Sequence, residues 1–224
     1  MKTEINNVVS EETLDPDNWE SMRKLGHKML DDMVDYLKTV RERPVWQNIP
    51  EQVKAQFTAP VPVNPERPEE VYKEFTEKVL PYPMGNIHPR FWGWILGTGT
   101  IMGAYSEFLA ASMNTNNGGG DHIAVHVEKQ VLDWIKEMLQ FPASASGVLT
   151  SGCSASNLIG LTVARNTKAG FDLRRKGLQM APKNMVLYAS EEAHSSIQKA
   201  VELLGLGSEA LRFLPVNNQF QIDI

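Results

Sequence analysis

Between Gly147 and Leu158 the chain reads Gly-Val-Leu-Thr-Ser-Gly-Cys-Ser-Ala-Ser-Asn-Leu. A short apolar run leads into hydroxyl residues and a glycine, and a helical pattern follows over Ala155 to Asn166. The start of a helix carries N–H groups without intrahelical acceptors and the positive end of the helix dipole, so it can receive a phosphate. Gly152 lets the backbone approach an anion, and the hydroxyls of Ser151, Ser154 and Ser156 add donors. A serine-capped helix after a tight turn satisfies the same pattern, so the turn alone leaves both readings open. A nucleotide P-loop does not fit, because the glycine spacing differs and no lysine follows the turn.

His194 is the second residue whose position invites chemistry. It follows an apolar run, Met185 to Ala189, at what would be the carboxyl edge of a sheet, where ligands of open α/β folds collect. An imidazole there can stack on an aromatic cofactor; it can equally cap the helix that follows. His122 and His126 stand four apart with Asp121 and Glu128 nearby, but a metal site needs a third ligand and a supporting shell, so no metal is expected. Cys153, the only cysteine, has no His or acid in a nucleophile arrangement and reads as a small side chain of the turn.

These residues need a scaffold. Strands at Gly147–Thr150, Met185–Ala189 and Leu211–Val216 alternate with helices at Ala155–Asn166 and Ala193–Leu204, which predicts a parallel sheet covered on both faces. Upstream, Asp15-Pro16-Asp17 reads as a helix start. From there Trp19, Met22, Leu25, Met29, Met33, Tyr36, Leu37 and Val40 form one apolar stripe on a helix over 16–41 that ends before Pro44. Six prolines between Pro44 and Pro68 predict an extended connection, and a shorter helix follows over Glu69–Val79. Such an arm suits a position across a neighbouring subunit. An aromatic segment, His88-Pro89-Arg90-Phe91-Trp92-Gly93-Trp94, precedes helices at about 101–113 and 123–139, with the loop Asn114–Gly120 between them.

The 224 residues carry 42% apolar and 22% charged side chains and a net charge of -5, so a sizeable core is within reach and no nucleic-acid-tracking basic face exists. One cysteine excludes an internal disulfide, the polar acidic N-terminus is not a secretory signal, and no window is apolar enough for a membrane span. A cytoplasmic setting is expected.

Taken together, these segments resemble the group II pyridoxal-phosphate-dependent amino-acid decarboxylases, the family of the aromatic amino-acid, histidine and glutamate decarboxylases. The resemblance is carried by His88 to Trp94, by Val127-Glu128 with Trp134, by Gly147 to Leu158 with Ala164-Arg165, and by Tyr188 to Ala200 through His194. It implies an α/β fold of fold type I, the aspartate-aminotransferase-like large domain, truncated and preceded by a helical arm. The divisions are then a flexible tail over 1–15, the arm and proline-rich connection over 16–86, and the first part of the cofactor domain over 87–224. It also implies pyridoxal 5'-phosphate as cofactor, an amino-acid substrate and a homodimer, without nucleic acid or membrane.

Carried over by position, the resemblance places Cys153 and Ser154 at the cofactor phosphate. His194 falls on the catalytic histidine that stacks over the pyridine ring and positions the substrate. Trp94, Ile95, Leu96 and Gly97 line one side of the substrate pocket. Many members of the family have glycine or alanine where Cys153 stands, and the Asn114–Gly120 loop differs from the aromatic amino-acid enzymes. The lysine that joins the cofactor and the carboxylate facing its ring nitrogen are expected beyond Ile224, so the chain as given is expected to be inactive by itself. Aminotransfer, carbon–carbon lysis as in sphingosine-phosphate lyase, and a non-catalytic dimerisation module are the alternatives.

Overall fold

The computed structural model describes residues 13, 15–116 and 118–223. The tail expected over 1–15 lies outside them except for Thr13 and Asp15, as does Asn117 of the Asn114–Gly120 loop. The chain forms two compact units, one through Thr115 and one from Asn116.

The first unit begins with α1, Trp19–Lys38. Its start is set by Asn18, whose side-chain oxygen accepts the N–H groups of Glu20 and Ser21, each at 3.0 Å. The cap therefore falls three residues after the expected Asp15, because the Asn18 side chain serves two of the orphan donors. A short 3-10 turn, Val40–Glu42, carries the chain to Pro44. The connection expected to be extended contains a helix, α2 (Glu51–Gln56), which Pro50 precedes with its φ already fixed. α3 (Pro68–Glu74) continues into a π turn over Phe75–Val79, where the N–H of Leu80 reaches back to the carbonyl of Phe75 at 2.9 Å.

Leu25 of α1 and Tyr72 of α3 are buried, whereas Trp19, Met29 and Leu30 stay exposed. The Tyr72 hydroxyl donates to Asp32 Oδ2 at 2.8 Å, and Lys28 Nζ stands 2.7 Å from the same oxygen. Hydrogen bonds from Lys28 and then Tyr72 hold the Asp32 carboxyl below its usual range. Burial first, and then the hydrogen bond to Asp32, push the Tyr72 phenol up to about 12. A phenol raised in the folded state stabilises below its unfolded value near 10.0 and loses that contribution as pH rises through about 12. The lowered Asp32 works at the other end: its contribution is present above 3.8 and is lost as pH falls through its folded value. Ultraviolet titration of tyrosinate should thus find one of the five tyrosines ionising late, and Tyr72→Phe should remove that step. Five tyrosines titrating together would contradict the buried contact.

Further along, the chain turns at Gly85, where φ is +87 and a Cβ would stand 1.8 Å from the carbonyl oxygen of Val45, so only glycine fits. His88 is buried and its Nδ1 accepts the N–H of Arg90 at 3.0 Å. α4, Ile101–Met113, closes this unit behind a Thr100 cap.

The second unit holds α5 (Ile123–Met138), α6 (Cys153–Lys168), α7 (Leu173–Lys176), β1 (Leu187–Ser190), α8 (Ser196–Leu203) and β2 (Leu211–Leu214). β1 and β2 pair in parallel with Leu187 opposite Leu211 and Ser190 opposite Leu214, and α8 makes the crossover. Gly147–Thr150, expected as a strand, joins no ladder among the described residues. A strand exists only through its neighbours' hydrogen bonds; here the N–H of Leu149 goes to Glu128 Oε1 of α5 at 3.0 Å, and Val148 and Leu149 stay exposed.

α6 and α8 are joined at two levels. Asn157 Nδ2 donates to Ser196 Oγ at 2.9 Å, and Arg165 Nη1 to the carbonyl of Leu204 at 2.9 Å. The two contacts lie eight residues apart on both segments, about 12 Å of helix, so α6 and α8 run side by side in the same direction. Ala200 and Val201 are the buried residues of α8 between these ties, and Arg165 also supplies a cation to the last carbonyls of α8.

Candidate functional site

α6 begins at Cys153 after Gly152, whose extended backbone makes no side-chain cap. The Ser156 N–H is the first to be taken inside the helix, by the carbonyl of Gly152 at 3.1 Å. The N–H groups of Cys153, Ser154 and Ala155 have no acceptor among the described residues. Cys153 and Ser154 are exposed and Ala155 is partly so. These three donors point out of a helix of 16 residues, so the dipole and the free N–H groups act together.

The hydroxyl of Ser156, expected as a ligand donor, is instead used inside the turn. It lies 2.6 Å from Thr150 Oγ1 and 3.4 Å from the carbonyl of Gly152. Thr150 Oγ1 also donates to the Gly152 carbonyl at 3.1 Å, so the turn is held from within. Ser151 and Ser154 remain exposed. No carboxylate occurs from Gly147 to Leu158 to repel an anion.

His194 stands past the carboxyl end of β1. The strand closes with the Glu191 N–H on the Leu214 carbonyl at 3.0 Å, and the Ala193 N–H turns back to the Ser190 carbonyl at 2.9 Å. The imidazole is exposed, with Nδ1 2.9 Å from Ser196 Oγ and receiving the Ser196 N–H at 3.2 Å. Through Ser196 and Asn157 it connects to α6 one turn after Cys153, whose Sγ lies 3.5 Å from Asn157 Nδ2. Cys153, Ser154 and His194 thus belong to one hydrogen-bonded piece of structure.

The partners Asn157 and Ser196 were not singled out by the sequence. They are 39 residues apart, and no local spacing signals that their side chains meet. Glu128, named in the sequence only as part of the resemblance and beside the histidine pair, holds the segment entering the turn through Leu149.

Trp94, Ile95, Leu96 and Gly97 belong to the first unit. The three large apolar side chains Trp94, Ile95 and Leu96 are exposed, and the carbonyl of Gly97 accepts the side-chain amide of Asn86 at 3.0 Å. His122 and His126 gather no metal-binding cluster among the described residues; His126 Nε2 pairs with Asp121 at 3.6 Å. Among those residues no helix is long and apolar enough to cross a membrane.

Parallel strands joined by a helix, with an open helix start and an imidazole near the strand ends, define an α/β protein, a class whose ligands collect at the carboxyl edge of the sheet. A family model described as the pyridoxal-dependent decarboxylase conserved domain matches residues 50–224, and the chain belongs to that family. It is similar to an aromatic-L-amino-acid decarboxylase of Bacillus atrophaeus, with 28% identity over 211 residues covering 92% of this chain and 42% of that protein. It is also similar to tryptophan decarboxylase 2 of Oryza sativa subsp. japonica, with 29% identity over 90% of this chain and 41% of the relative. The chain therefore spans about two-fifths of the length of these curated relatives.

Among solved structures, Oryza sativa TDC with PLP and tryptamine superposes with a TM-score of 0.80 at 26% identity, over 94% of this chain and 45% of that one. The glutamate decarboxylase domain of a Vibrio parahaemolyticus protein shares the fold with a TM-score of 0.77 at 21% identity, over 95% of this chain and 47% of that one. The fold is that of part of the fold-type I large domain, and pyridoxal phosphate is the cofactor of the family.

The residues present fit that cofactor's phosphate. Three unpaired N–H groups lie at the start of α6, the adjoining turn carries no acid, and exposed hydroxyls flank it. An adjacent imidazole offers a flat surface.

Proposed function

We propose that the whole protein is a pyridoxal-phosphate-dependent amino-acid decarboxylase, in which the start of α6 holds the cofactor phosphate and His194 works against the ring and substrate. The observation that carries this reading is the set of three unpaired N–H groups at Cys153, Ser154 and Ala155, tied through Asn157 and Ser196 to His194. When bound, pyridoxal phosphate supplies the electron sink for the charge released as CO2 leaves an amino acid.

The chain's own groups do the rest. Backbone N–H groups of 153–155 orient the phosphate without using a lysine. The side chain of Ser154 adds a hydroxyl donor, and Cys153 contributes its backbone and a small side chain. His194 holds a proton on Nε2, on the ring edge away from Ser196. Trp94, Ile95 and Leu96 offer exposed apolar surface in the first unit, of the kind that suits an apolar substrate group. The division we favour is an arm over 16–86 and a cofactor part over 87–224. The exposed Trp19, Met29 and Leu30 of α1 suit cover by a second copy in a cytoplasmic homodimer.

The activities for which the relatives are named favour an aromatic amino acid over an acidic one. A phenylacetaldehyde synthase of Arabidopsis thaliana at 28% identity supports one second reading, an aldehyde product in place of an amine. The test is release of CO2 by the whole protein with added pyridoxal phosphate, across tryptophan, tyrosine, phenylalanine and glutamate, with amine and aldehyde both measured. Release from an aromatic amino acid with equal amine is expected. Amino-group transfer to a keto acid without CO2 would overturn the decarboxylase reading.

A further inference from the structure

The two hydrogen bonds of the His194 ring fall on one nitrogen. The backbone N–H of Ser196 reaches Nδ1 at 3.2 Å, and Ser196 Oγ lies 2.9 Å from the same atom. A backbone N–H only donates, so Nδ1 must offer its lone pair, and the proton of the neutral ring stands on Nε2. Ser196 Oγ accepts the Asn157 amide at 2.9 Å, which leaves its own hydrogen for Nδ1. The direction of the chain is then set from amide to hydroxyl to imidazole. Ser196 is only 3% exposed, so water does not compete for these bonds.

We infer that Ser196 and Asn157 are positioning residues that lock His194 in its Nε2–H form and fix its ring relative to the start of α6. Asn157 lies one turn inside α6, on the helix whose first three N–H groups are the proposed phosphate donors. Ser196 opens α8 and carries the imidazole two residues before it. One buried hydroxyl therefore couples the group that would anchor the cofactor to the group that would act on it. The ring is left presenting a donor, never an acceptor, to whatever stands before it, so it suits the carboxylate or another oxygen acceptor of a substrate. This deepens the role proposed for His194 and rests on it.

The test uses the whole protein with 15N-labelled histidine. Nuclear magnetic resonance should find His194 in a single Nε2–H form in the wild type. Ser196→Ala leaves Nδ1 only the longer, 3.2 Å bond from the backbone N–H, so part of the population should take the Nδ1–H form. Asn157→Ala, which frees the Ser196 hydroxyl to turn away, should do the same to a smaller extent, whereas Ser196→Thr, which keeps the hydroxyl, should restore the single form. In the cofactor-loaded enzyme Ser196→Ala should lower kcat by roughly tenfold to a hundredfold, with KM changed by no more than about twofold, and Ser196→Thr should recover most of the loss. Unchanged tautomer and unchanged kcat in both Ser196→Ala and Asn157→Ala would overturn the inference. Normal turnover in His194→Ala would instead remove the catalytic role of His194, while the tautomer measurement would still decide whether Ser196 and Asn157 fix the ring.

Discussion

His194→Ala should lose turnover by roughly a hundredfold or more while retaining most of its pyridoxal phosphate. The two halves of that expectation come from different parts of the site. Retention follows because the proposed phosphate donors are backbone groups of Cys153, Ser154 and Ala155, which the substitution leaves untouched. Loss of turnover follows because the imidazole is a proton-carrying side chain linked to that turn through Ser196 and Asn157. Its exposure leaves it open to a ligand, whereas a histidine serving only to cap α8 would be needed for folding and not for rate. Cofactor content by absorbance and turnover by CO2 release separate the two. Near-normal turnover would reduce His194 to a structural residue, and joint loss of cofactor and turnover would mean that the ring anchors the cofactor.

Ser154→Asp should weaken pyridoxal phosphate binding by roughly a hundredfold or more, since two like charges about 4 Å apart at a protein surface repel by several kcal/mol. The effect on the helix alone has the opposite sign. A carboxylate in the first turn of α6 meets free N–H groups and the positive dipole end, and it stabilises the helix by roughly 0.3–1 kcal/mol. The variant should therefore fold at least as well as the wild type and bind the cofactor far more weakly, a combination that general damage does not produce. Ser154→Ala, which removes one hydroxyl but no backbone donor, should cost roughly tenfold or less. Equal affinity in wild type and Ser154→Asp, by fluorescence titration, would place the phosphate elsewhere.

Much of this scaffold is legible in the sequence because local rules dominate it. The helices at Ile101–Met113, Ile123–Met138 and Cys153–Lys168 follow their apolar spacing and their flanking loops, and they emerge close to their expected bounds. The strand at Leu211–Leu214 and its parallel partner at Leu187–Ser190 follow from short apolar runs around a helix. What the sequence hides is pairing at a distance. Asn18 outcompetes Asp15 as the cap of α1 because its side chain meets two N–H groups, a matter of geometry that both residue types permit. Gly147–Thr150 has the composition of a strand, but a ladder needs a neighbour, and Glu128 takes the Leu149 N–H instead.

The candidate site divides in the same way. The open turn and His194 are marked by residue type at the ends of elements, where small hydroxyl residues and an imidazole serve either a cap or a ligand. The Asn157–Ser196 bond joins residues from two helices, and nothing in either local sequence announces the other. Ser156 shows the converse: its hydroxyl looks available in the sequence, yet Thr150 lies 2.6 Å away and engages it.

The central claim is that the start of α6 receives the cofactor phosphate, and backbone amide resonances of the whole, 15N-labelled protein test it most directly. Titration with pyridoxal phosphate should move the amide signals of Cys153, Ser154 and Ala155 more than any others in α6, and inorganic phosphate should move the same three in the same direction. Saturable binding of pyridoxal phosphate that leaves those three amides where they were would contradict the account.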